Sequence, residues 1–378
     1  MDQIFHIDQY NLPFIFIVAA ASILLAKLIN DLILLIALPG RKSFIKNPRA
    51  SAPVSVVICA RNEAENLKRF IPLICEQEYD SFEVVVVNDA STDNTARVVR
   101  DLASRYENFR YTEIPKDPKF DHGKKLALTI GIKASKNENL LLTDADCWPE
   151  TDQWLVGMAD KLQQKKIVLG YGGYEREKGL INSLIRFDTM LIARNFMSLA
   201  RMGAPYMGVG RNLAYHKSIY EAAGGFSSHY HIKSGDDDLL VNQMARKSNT
   251  IVNLNPNHFT RSIAEKNFKL FYLQKKRHLT TGARYRFFQK LYLSFEGLLR
   301  VLTLPLLVLI NIFTAGFEPY VYVAPGVFII LQIIIWKVFM NKYQEKGFLL
   351  MVPFFEFFIS ILPIVILARN FIKRNQSR

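Results

Sequence analysis

Two runs of mostly β-branched residues, Val54-Ser-Val-Val-Ile-Cys-Ala60 and Phe82-Glu-Val-Val-Val-Val-Asn88, decide the fold of this chain. They are apolar almost throughout, which is typical of strands covered on both faces of a parallel sheet. A helical pattern begins at Asn62, between the two runs, and a second begins at Ser91. The alternation continues through 109–114, 123–134 and 139–143. Strand, helix, strand, helix predicts an α/β domain with a Rossmann-like, mostly parallel sheet.

Polar clusters follow three of the predicted strands. In open α/β sheets, ligands bind in the crevice outside the carboxyl ends of the strands. We therefore expect the clusters to line one crevice; they are Ala60-Arg61-Asn62-Glu63, Asn88-Asp89-Ala90-Ser91-Thr92-Asp93 and Asp144-Ala145-Asp146.

Asp144 and Asp146 point the same way off an extended segment, because side chains alternate along such a segment. Two carboxylates on one side suit a single divalent cation. The buried run Leu140-Leu-Leu-Thr143 directly precedes them, which distinguishes the pair from an ordinary solvated acidic turn. We expect the two side chains to bind Mg²⁺ or Mn²⁺ that bridges a diphosphate.

Asp89 and Lys124 are the other candidate ligand contacts in this half of the chain. We expect Asp89 to accept hydrogen bonds from a base or ribose, and Asp93 to cap the helix that follows. His122-Gly123-Lys124-Lys125 opens a predicted helix, where cations oppose the helix dipole unless an anionic ligand binds there. The alternative is that both lysines are ordinary surface residues.

Two charged motifs follow later in the chain. Gly235-Asp236-Asp237-Asp238 stands at a predicted helix start, where carboxylates compensate the dipole. Three consecutive acids also repel one another, which raises the pKa of one toward a useful value for a general base. Leu273-Gln274-Lys275-Lys276-Arg277-His278 contacts either lipid headgroups or a departing pyrophosphate, and its position alone does not separate these readings.

Of four apolar stretches, at 12–39, 298–317, 320–340 and 348–367, the first is longer than the ~20 residues that span a bilayer and the other three are near that length. Lys27 and Asp31 interrupt the first at i,i+4 spacing, where they can pair on one helical face. The alternative is that one end of this stretch lies in the membrane interface. Pro353, Glu356 and Pro363 predict that the last stretch is a broken or interfacial helix, so the C-terminal region has two or three spanning helices.

The charge distribution indicates the orientation. Asp2 and Asp8 precede the first stretch, which argues against a cleavable signal peptide. The basic residues that follow it predict a cytosolic location for the next region, in a multi-pass protein of a plasma (bacterial inner) membrane; they are Arg41, Lys42, Lys46 and Arg49.

The net charge of +14 favours an anionic partner. The basic residues sit mainly beside the apolar stretches, so we expect contact with membrane lipids and no nucleic-acid binding. The three cysteines, Cys59, Cys75 and Cys147, have no Cys-x-x-Cys spacing and indicate neither a disulfide framework nor a zinc ribbon.

Taken in order, the motifs resemble those of the inverting glycosyltransferases of family 2, which have the GT-A fold. The resemblance runs from about Pro53 to His278 and rests on five motifs in register. These are Val-Ile-Cys-Ala-Arg-Asn-Glu, Val-Asn-Asp-Ala-Ser-Thr-Asp, Asp-Ala-Asp, Gly-Asp-Asp-Asp and Gln-Lys-Lys-Arg-His. Gly210-Arg-Asn-Leu-Ala214 followed by Gly224-Gly225-Phe226 also looks like the acceptor-side segment of that family.

The resemblance implies a role for each motif. Asp89 would contact the nucleotide, together with Ala60, Asn62 and Glu63 of the first motif. Asp144 would face the diphosphate and Asp146 would bind the metal. Asp237 would be the base, with Asp236 beside it. Gln274, Arg277 and His278 fall where the membrane-integrated cellulose, chitin and hyaluronan synthases carry Gln-x-x-Arg-Trp, so His replaces the acceptor-stacking Trp.

The implied reaction is a metal-dependent, inverting sugar transfer from a nucleotide-sugar to a lipid or a lipid-linked or other glycan acceptor at the cytosolic membrane face. A processive β-polysaccharide synthase is the alternative within the enzyme class. From another class, the alternative is an inactive membrane scaffold that binds nucleotide-sugars. The predicted division is 1–50 for a membrane helix and basic linker, 51–260 for the catalytic domain, 261–295 for interfacial helices and 296–378 for the C-terminal membrane region and basic tail.

Overall fold

The computed structural model describes residues 11–40, 52–117, 123–313 and 322–376. The basic residues between 41 and 49, which predict the cytosolic location, and His122 lie outside these ranges. The chain divides into two compact units. One contains the long apolar helices of both ends of the chain, and the other runs from Ala37 to Arg286 with residues 342–344.

The second unit is an α/β domain built on ten strands, β1–β10. Their bounds are Val54–Ala60, Phe82–Asp89, Phe109–Ile114, Asn139–Leu142, Cys147–Pro149, Ile167–Gly170, Gly172–Tyr174, Leu213–His216, Thr250–Asn253 and Thr260–Ser262. Seven strands form one sheet in the order β3-β2-β1-β4-β8-β6-β9. Only β8 runs antiparallel to its two neighbours, β4 and β6, in this sheet. The predicted α/β fold with a mostly parallel sheet is confirmed.

Twelve helices, α1–α12, occur in the described residues. Their bounds are Asn11–Ala37, Ala64–Cys75, Thr95–Arg105, Lys124–Ala134, Trp154–Gln164, Leu180–Arg201, Lys217–Ala222, Asp238–Met244, Phe268–Gly282, Phe287–Phe313, Val323–Lys342 and Val352–Gln376. The helices α2, α3 and α5 cover one face of the large sheet, where side chains such as Leu67, Val99 and Met158 join one core with Val56 and Val84. The sheet is therefore buried, as its apolar strands predict.

Helix α4 lies against the opposite face of the sheet. A Cβ atom on Gly131 would come within 2.7 Å of a Val57 methyl and 2.9 Å of a Val87 methyl. Glycine therefore allows a close approach of this helix to β1 and β2. The approach brings the N-terminus of α4, with Lys124, to the carboxyl edge of the sheet.

A small sheet of three strands, in the order β5-β10-β7, stands beside the large one. Strand β10 pairs antiparallel with β5, so that Ser262 lies opposite Cys147, and it pairs parallel with β7. This pairing brings Ser262 beside the Asp144–Asp146 segment, which immediately precedes β5.

Within the described ranges, four helices are long and apolar enough to cross a membrane, over Ile15–Ala37, Phe287–Ile312, Val323–Lys342 and Leu349–Ile372. The second begins at Phe287 rather than at the expected Leu298. Polar residues such as Gln289, Lys290 and Glu296 interrupt the apolar pattern of its first half, which explains the shorter prediction.

The expected pair of Lys27 and Asp31 is confirmed within the unit of long helices, and both side chains are fully buried. The Lys27 ammonium also lies 2.9 Å from the Glu356 carboxylate, which is buried as well, and 5.9 Å from the centre of the Trp336 ring. A shared cation reduces the cost of placing two carboxylates away from water.

The prediction that the last helix is broken is wrong, because α12 is continuous from Val352 to Gln376, whereas an interfacial position of this helix stays a prediction. Pro353 stands in the first turn, where its missing N–H costs no intrahelical hydrogen bond. Pro363 is accommodated inside the helix. Glu356 is paired with Lys27 rather than exposed to lipid.

Candidate active site

The carboxyl ends of β2, β1 and β4 lie side by side, because these strands are parallel neighbours in the sheet. The loops after β1 and β2 are joined by hydrogen bonds. Asn62 Oδ1 accepts from the Thr92 amide at 2.8 Å, and the Asn62 amide donates to Ser91 Oγ at 2.9 Å. Asn62 and Ala90 both have positive φ angles, of 58° and 50°. The two loops thus form one rigid edge with a sharp bend in each.

The residues predicted in the first motif differ in exposure at this edge. Ala60 is buried at the end of β1, Asn62 is exposed and Glu63 is half-buried. Desolvation raises the pKa of Glu63, and the negative charges of Asp146 and Asp144 raise it further. This electrostatic interaction places Glu63 near the acidic pair.

Asp89 is the last residue of β2 and is buried. Asp93 has the capping contacts that the sequence predicts. Its Oδ1 accepts from the amide and hydroxyl of Thr95, at 3.0 and 2.6 Å, and its Oδ2 accepts from the Ala64 amide at 3.3 Å. Asp93 therefore caps α3 and also tethers the start of α2.

Asp144 and Asp146 converge directly after β4. One carboxylate oxygen of each and the Cys147 sulfur all lie within 4.8 Å of one another. Asp146 Oδ2 accepts from Ser262 Oγ at 2.8 Å. Burial raises the pKa of Asp146, and the neighbouring Asp144 raises it further. Two carboxylates held this closely fit an oxygen-ligated Mg²⁺ or Mn²⁺.

Cys147 is the third member of this cluster and is a poor ligand for a hard cation. Burial raises its pKa well above the ordinary thiol value, so the side chain stays a neutral thiol. Its sulfur lies 3.6 Å from Asp146 Oδ1. The donor set therefore consists of carboxylate oxygens.

Lys124 joins the acidic pair to the acidic triplet. As the first residue of α4, it places its ammonium 2.7 Å from Asp144 Oδ1 and 2.9 Å from Asp236 Oδ2. Desolvation lowers the pKa of Lys124, but Asp144 and Asp236 outweigh it and hold the pKa well above the ordinary value. A permanent positive charge therefore stands between the two acidic clusters.

The three consecutive acids have different surroundings. Gly235 has a φ of 94°, a left-handed turn that directs the chain into α8. Desolvation acts to raise the pKa of Asp236, but the positive charge of Lys124 outweighs it, so the pKa is lowered. Asp237 Oδ2 accepts from the Gly210 amide at 2.8 Å. Burial, followed by the charges of Asp236 and Asp238, raises the pKa of Asp237 to about 7. The triplet thus contains one strongly ionised carboxylate beside one that titrates near neutrality.

Asp238 is buried and points to α9 and the residues after it. Its Oδ2 accepts from Thr281 Oγ1 at 2.5 Å and from the Tyr285 hydroxyl at 2.7 Å. Its Oδ1 accepts from the Leu239 amide at 2.7 Å. Both carboxylate oxygens are therefore used in holding the structure.

Gln274 of α9 lies at the site and is half-buried. Arg277 and His278, on the same helix, are exposed. Gln274 Nε2 donates to the Tyr174 hydroxyl at 3.3 Å. Electrostatic interactions connect His278 to Arg211 and Asp236. The neighbouring Lys275 pairs with Asp188 of α6 at 2.8 Å, so α9 is also attached on another side.

Arg211 is a site residue that was not among the predicted ones, although it lies in the Gly210-Arg-Asn segment. Its guanidinium lies 4.4 Å from the centre of the Tyr174 ring and donates to that hydroxyl at 2.6 Å. It interacts electrostatically with Asp144 and Asp146. A Cβ on Gly172 would come within 2.6 Å of the Arg211 Cβ, so glycine makes room for this side chain. Arg211 is a second cation beside the acidic pair.

Comparison with known proteins finds similarity to glycosyltransferases. The model of the family described as "Glycosyl transferase family 2" matches residues 55–223. A probable glycosyltransferase of Bacillus subtilis, YdaM, is 27% identical over 191 residues, which are 48% of this chain and 44% of the relative. A poly-beta-1,6-N-acetyl-D-glucosamine synthase of Staphylococcus epidermidis is 29% identical over 93 residues, which are 25% of this chain and 21% of that protein. The matches thus span less than half the length of these relatives.

A solved structure extends the likeness to almost the whole chain. The mannosyltransferase PcManGT of Pyrobaculum calidifontis, solved in complex with GDP-Man and Mn²⁺, superposes with a TM-score of 0.60 at 17% sequence identity. The superposition covers 94% of this chain and 98% of that one. At this identity the likeness concerns the fold, which is GT-A.

Proposed function

This chain carries a glycosyltransferase family 2 domain with the GT-A fold, and on that premise we propose that it transfers a sugar from a nucleotide-sugar to an acceptor hydroxyl with inversion. The observation that carries the proposal is the meeting of two acidic clusters around Lys124 at the carboxyl edge of the sheet. One cluster suits a metal-bound diphosphate, and the other contains a carboxyl group that titrates near neutrality.

In the proposal, the loops after β1 and β2 bind the nucleotide. Asp89 accepts hydrogen bonds from the base or ribose, and the Ala60–Glu63 segment forms the adjoining wall. Asp144 and Asp146 hold Mg²⁺ or Mn²⁺, which when bound neutralises charge on the diphosphate. The solved mannosyltransferase contains Mn²⁺ with its nucleotide-sugar, which supports this choice of ion.

Asp237 is the proposed base. It takes the proton of the acceptor hydroxyl while the oxygen attacks the anomeric carbon from the face opposite the leaving diphosphate, so the configuration inverts. Its pKa of about 7 suits a group that must accept a proton near neutral pH. Asp236 is paired with Lys124 and has a lowered pKa, so it is the weaker base and orients Lys124 instead.

Three cations and one amide complete the proposed site on the side of the leaving group. Arg277 would stabilise the departing nucleoside diphosphate. Lys124 and Arg211, which are also positively charged, lie beside the acidic pair. Gln274 and His278 would contact the sugar or the acceptor. A histidine in place of the family's tryptophan gives a smaller stacking surface.

We infer a lipid or lipid-linked glycan acceptor, reached at the cytosolic face of a bacterial inner membrane. Four helices long and apolar enough to span a bilayer support a membrane-embedded acceptor. A processive polysaccharide synthase is the second candidate, favoured by the name of the Staphylococcus epidermidis relative. An inactive scaffold is disfavoured because both acidic clusters and their bridging lysine are intact.

The test incubates membranes that contain the full chain with a panel of nucleotide-sugars and Mg²⁺ or Mn²⁺, and measures release of nucleoside diphosphate. Asp237→Asn should abolish release. The matched control is Asp101→Asn, the same chemical change at an exposed position of α3, and it should match the wild type. Equal release by Asp237→Asn and wild type would contradict the assignment of the base.

A further inference from the structure

Asp238 is the member of the acidic triplet that the proposed reaction does not use. Its side chain is buried, and three donors converge on its two carboxylate oxygens. A carboxylate so occupied is not available to an acceptor hydroxyl. Its neighbour Asp237 is held by the Gly210 and Asp238 amides and is partly exposed.

The two hydroxyl donors lie on a separate segment of the chain. Thr281 is in the last turn of α9, and Tyr285 follows that helix. The Tyr285 ring packs edge to face on Tyr206, with ring centres 5.5 Å apart. Packing of the Tyr285 ring therefore fixes the position of its hydroxyl. The two hydroxyls attach the C-terminal end of α9 to the first turn of α8.

The middle of α9 is attached to a different part of the site. Gln274 donates to the Tyr174 hydroxyl, which also accepts from Arg211. The helix that carries Gln274, Arg277 and His278 is thus held at its middle through Tyr174 and at its C-terminal end through Asp238.

From this geometry, and resting on the function proposed above, we propose that Asp238 is a positioning residue. It ties α9 to the loop that carries Asp237, so that the base and the side chains of α9 keep one fixed separation. Charge-assisted hydrogen bonds from hydroxyls to a buried carboxylate are short and strong, which suits a rigid tie. Thr281 and Tyr285 are its partners, and neither is expected to contact the donor or the acceptor.

The charges around Asp238 give a second consequence. Asp237, Asp236, Lys125 and the Tyr285 hydroxyl all interact with it electrostatically. Its negative charge is one of the causes that raise the pKa of Asp237. Removing this charge should therefore let Asp237 ionise at lower pH.

The experiment uses the full chain in membranes and compares Thr281→Val, Tyr285→Phe and Asp238→Asn with Thr281→Ser, which keeps the hydroxyl. Loss of one hydroxyl donor should lower kcat about tenfold or more in Thr281→Val and Tyr285→Phe. The donor KM should stay within about twofold, because the proposed donor contacts lie on other loops. Thr281→Ser should retain wild-type kcat. Asp238→Asn should move the acidic limb of the pH–rate profile to lower pH, which a merely structural role would not do.

Hydrogen–deuterium exchange of the same variants gives a readout that needs no activity. Thr281→Val should speed amide exchange in both 268–282 and 236–241, whereas Thr281→Ser should not. Unchanged exchange and unchanged kcat in Thr281→Val, or an equal loss in Thr281→Ser, would overturn the proposed tie. If wild-type membranes release no nucleoside diphosphate from any donor, the proposed function fails, and the exchange comparison still tests the tie.

Discussion

The pH dependence expected of sugar transfer follows from the surroundings of Asp237, the proposed base. Burial and the charges of Asp236 and Asp238 raise its pKa to about 7, and Lys124 only partly offsets them. A base must be ionised to accept the proton of the acceptor hydroxyl. We therefore predict that kcat rises with pH through the neutral range.

The size of the effect follows from the pKa. A group with a pKa of about 7 is roughly one tenth ionised at pH 6 and roughly nine tenths ionised at pH 8. The rate should thus rise about tenfold between these values and level off above them. An ordinary aspartate, with a pKa of about 3.9, would give a flat profile over the same range.

The assay measures nucleoside diphosphate release at saturating donor from pH 5.5 to 9, with circular dichroism to verify folding at each pH. Asp237→Asn removes the proposed base and should lower kcat by about 10²- to 10⁴-fold at pH 8. A rate independent of pH between 5.5 and 8, in a protein that stays folded, would refute this reasoning.

Asp237 also links pH to stability. A raised pKa means that the folded chain binds more protons than the unfolded chain between the ordinary aspartate value and about 7. Stability therefore falls as pH rises through that window. At pH 8, Asp237→Asn should unfold at a higher temperature than the wild type while losing transfer, the opposite of what a damaged fold would give.

Three further predictions concern the other charged groups. Asp146→Ala should abolish the stimulation of transfer by Mn²⁺ or Mg²⁺ and weaken Mn²⁺ binding measured by electron paramagnetic resonance. The control Asp101→Ala, at an exposed position, should change neither. Unchanged metal dependence in Asp146→Ala would mean that Asp144 and Asp146 form an ordinary acidic turn. Lys124→Met should raise the donor KM about tenfold, since a charge-assisted contact to the diphosphate is lost, and an unaltered KM would remove it from the donor site. Lys27→Met removes the cation shared by the buried Asp31 and Glu356 carboxylates, at a cost of about 3–5 kcal/mol, so thermal unfolding of the detergent-solubilised chain should occur at clearly lower temperature. Ile29→Met, at an exposed position of α1, should be neutral.

The parts of the structure that depend on local pattern could be predicted from the sequence. The β-branched run 54–60 forms the strand with the expected bounds, and the spacing of Lys27 and Asp31 predicts their pairing. The parallel arrangement of neighbouring strands is sufficient to bring Asp89 and Asp144 to one edge of the sheet.

The features that depend on distant partners could not be predicted in the same way. Glu356 of α12 is paired with Lys27 of α1, and no pattern within α12 indicates this distant partner. Arg211 and Ser262 reach the acidic pair through the antiparallel strand β8 and the small sheet, and no periodicity indicates either arrangement. The three aspartates of the triplet are identical in sequence, and only their partners distinguish them. Asp236 pairs with Lys124, Asp237 accepts from the Gly210 amide, and Asp238 accepts from the Thr281 and Tyr285 hydroxyls.

The hydrogen bonds between the loops after β1 and β2 affect the entropy of ligand binding. Asn62 is fixed by Thr92 and Ser91 within the chain itself, so these loops lose their conformational freedom during folding. A nucleotide that binds against them need not order them again, and more of its contact energy appears as affinity. Replacing Asn62 by glycine would keep the positive φ angle and the backbone N–H bond to Ser91 but remove the bond from Thr92 to Oδ1, and would move part of that ordering cost from folding to binding.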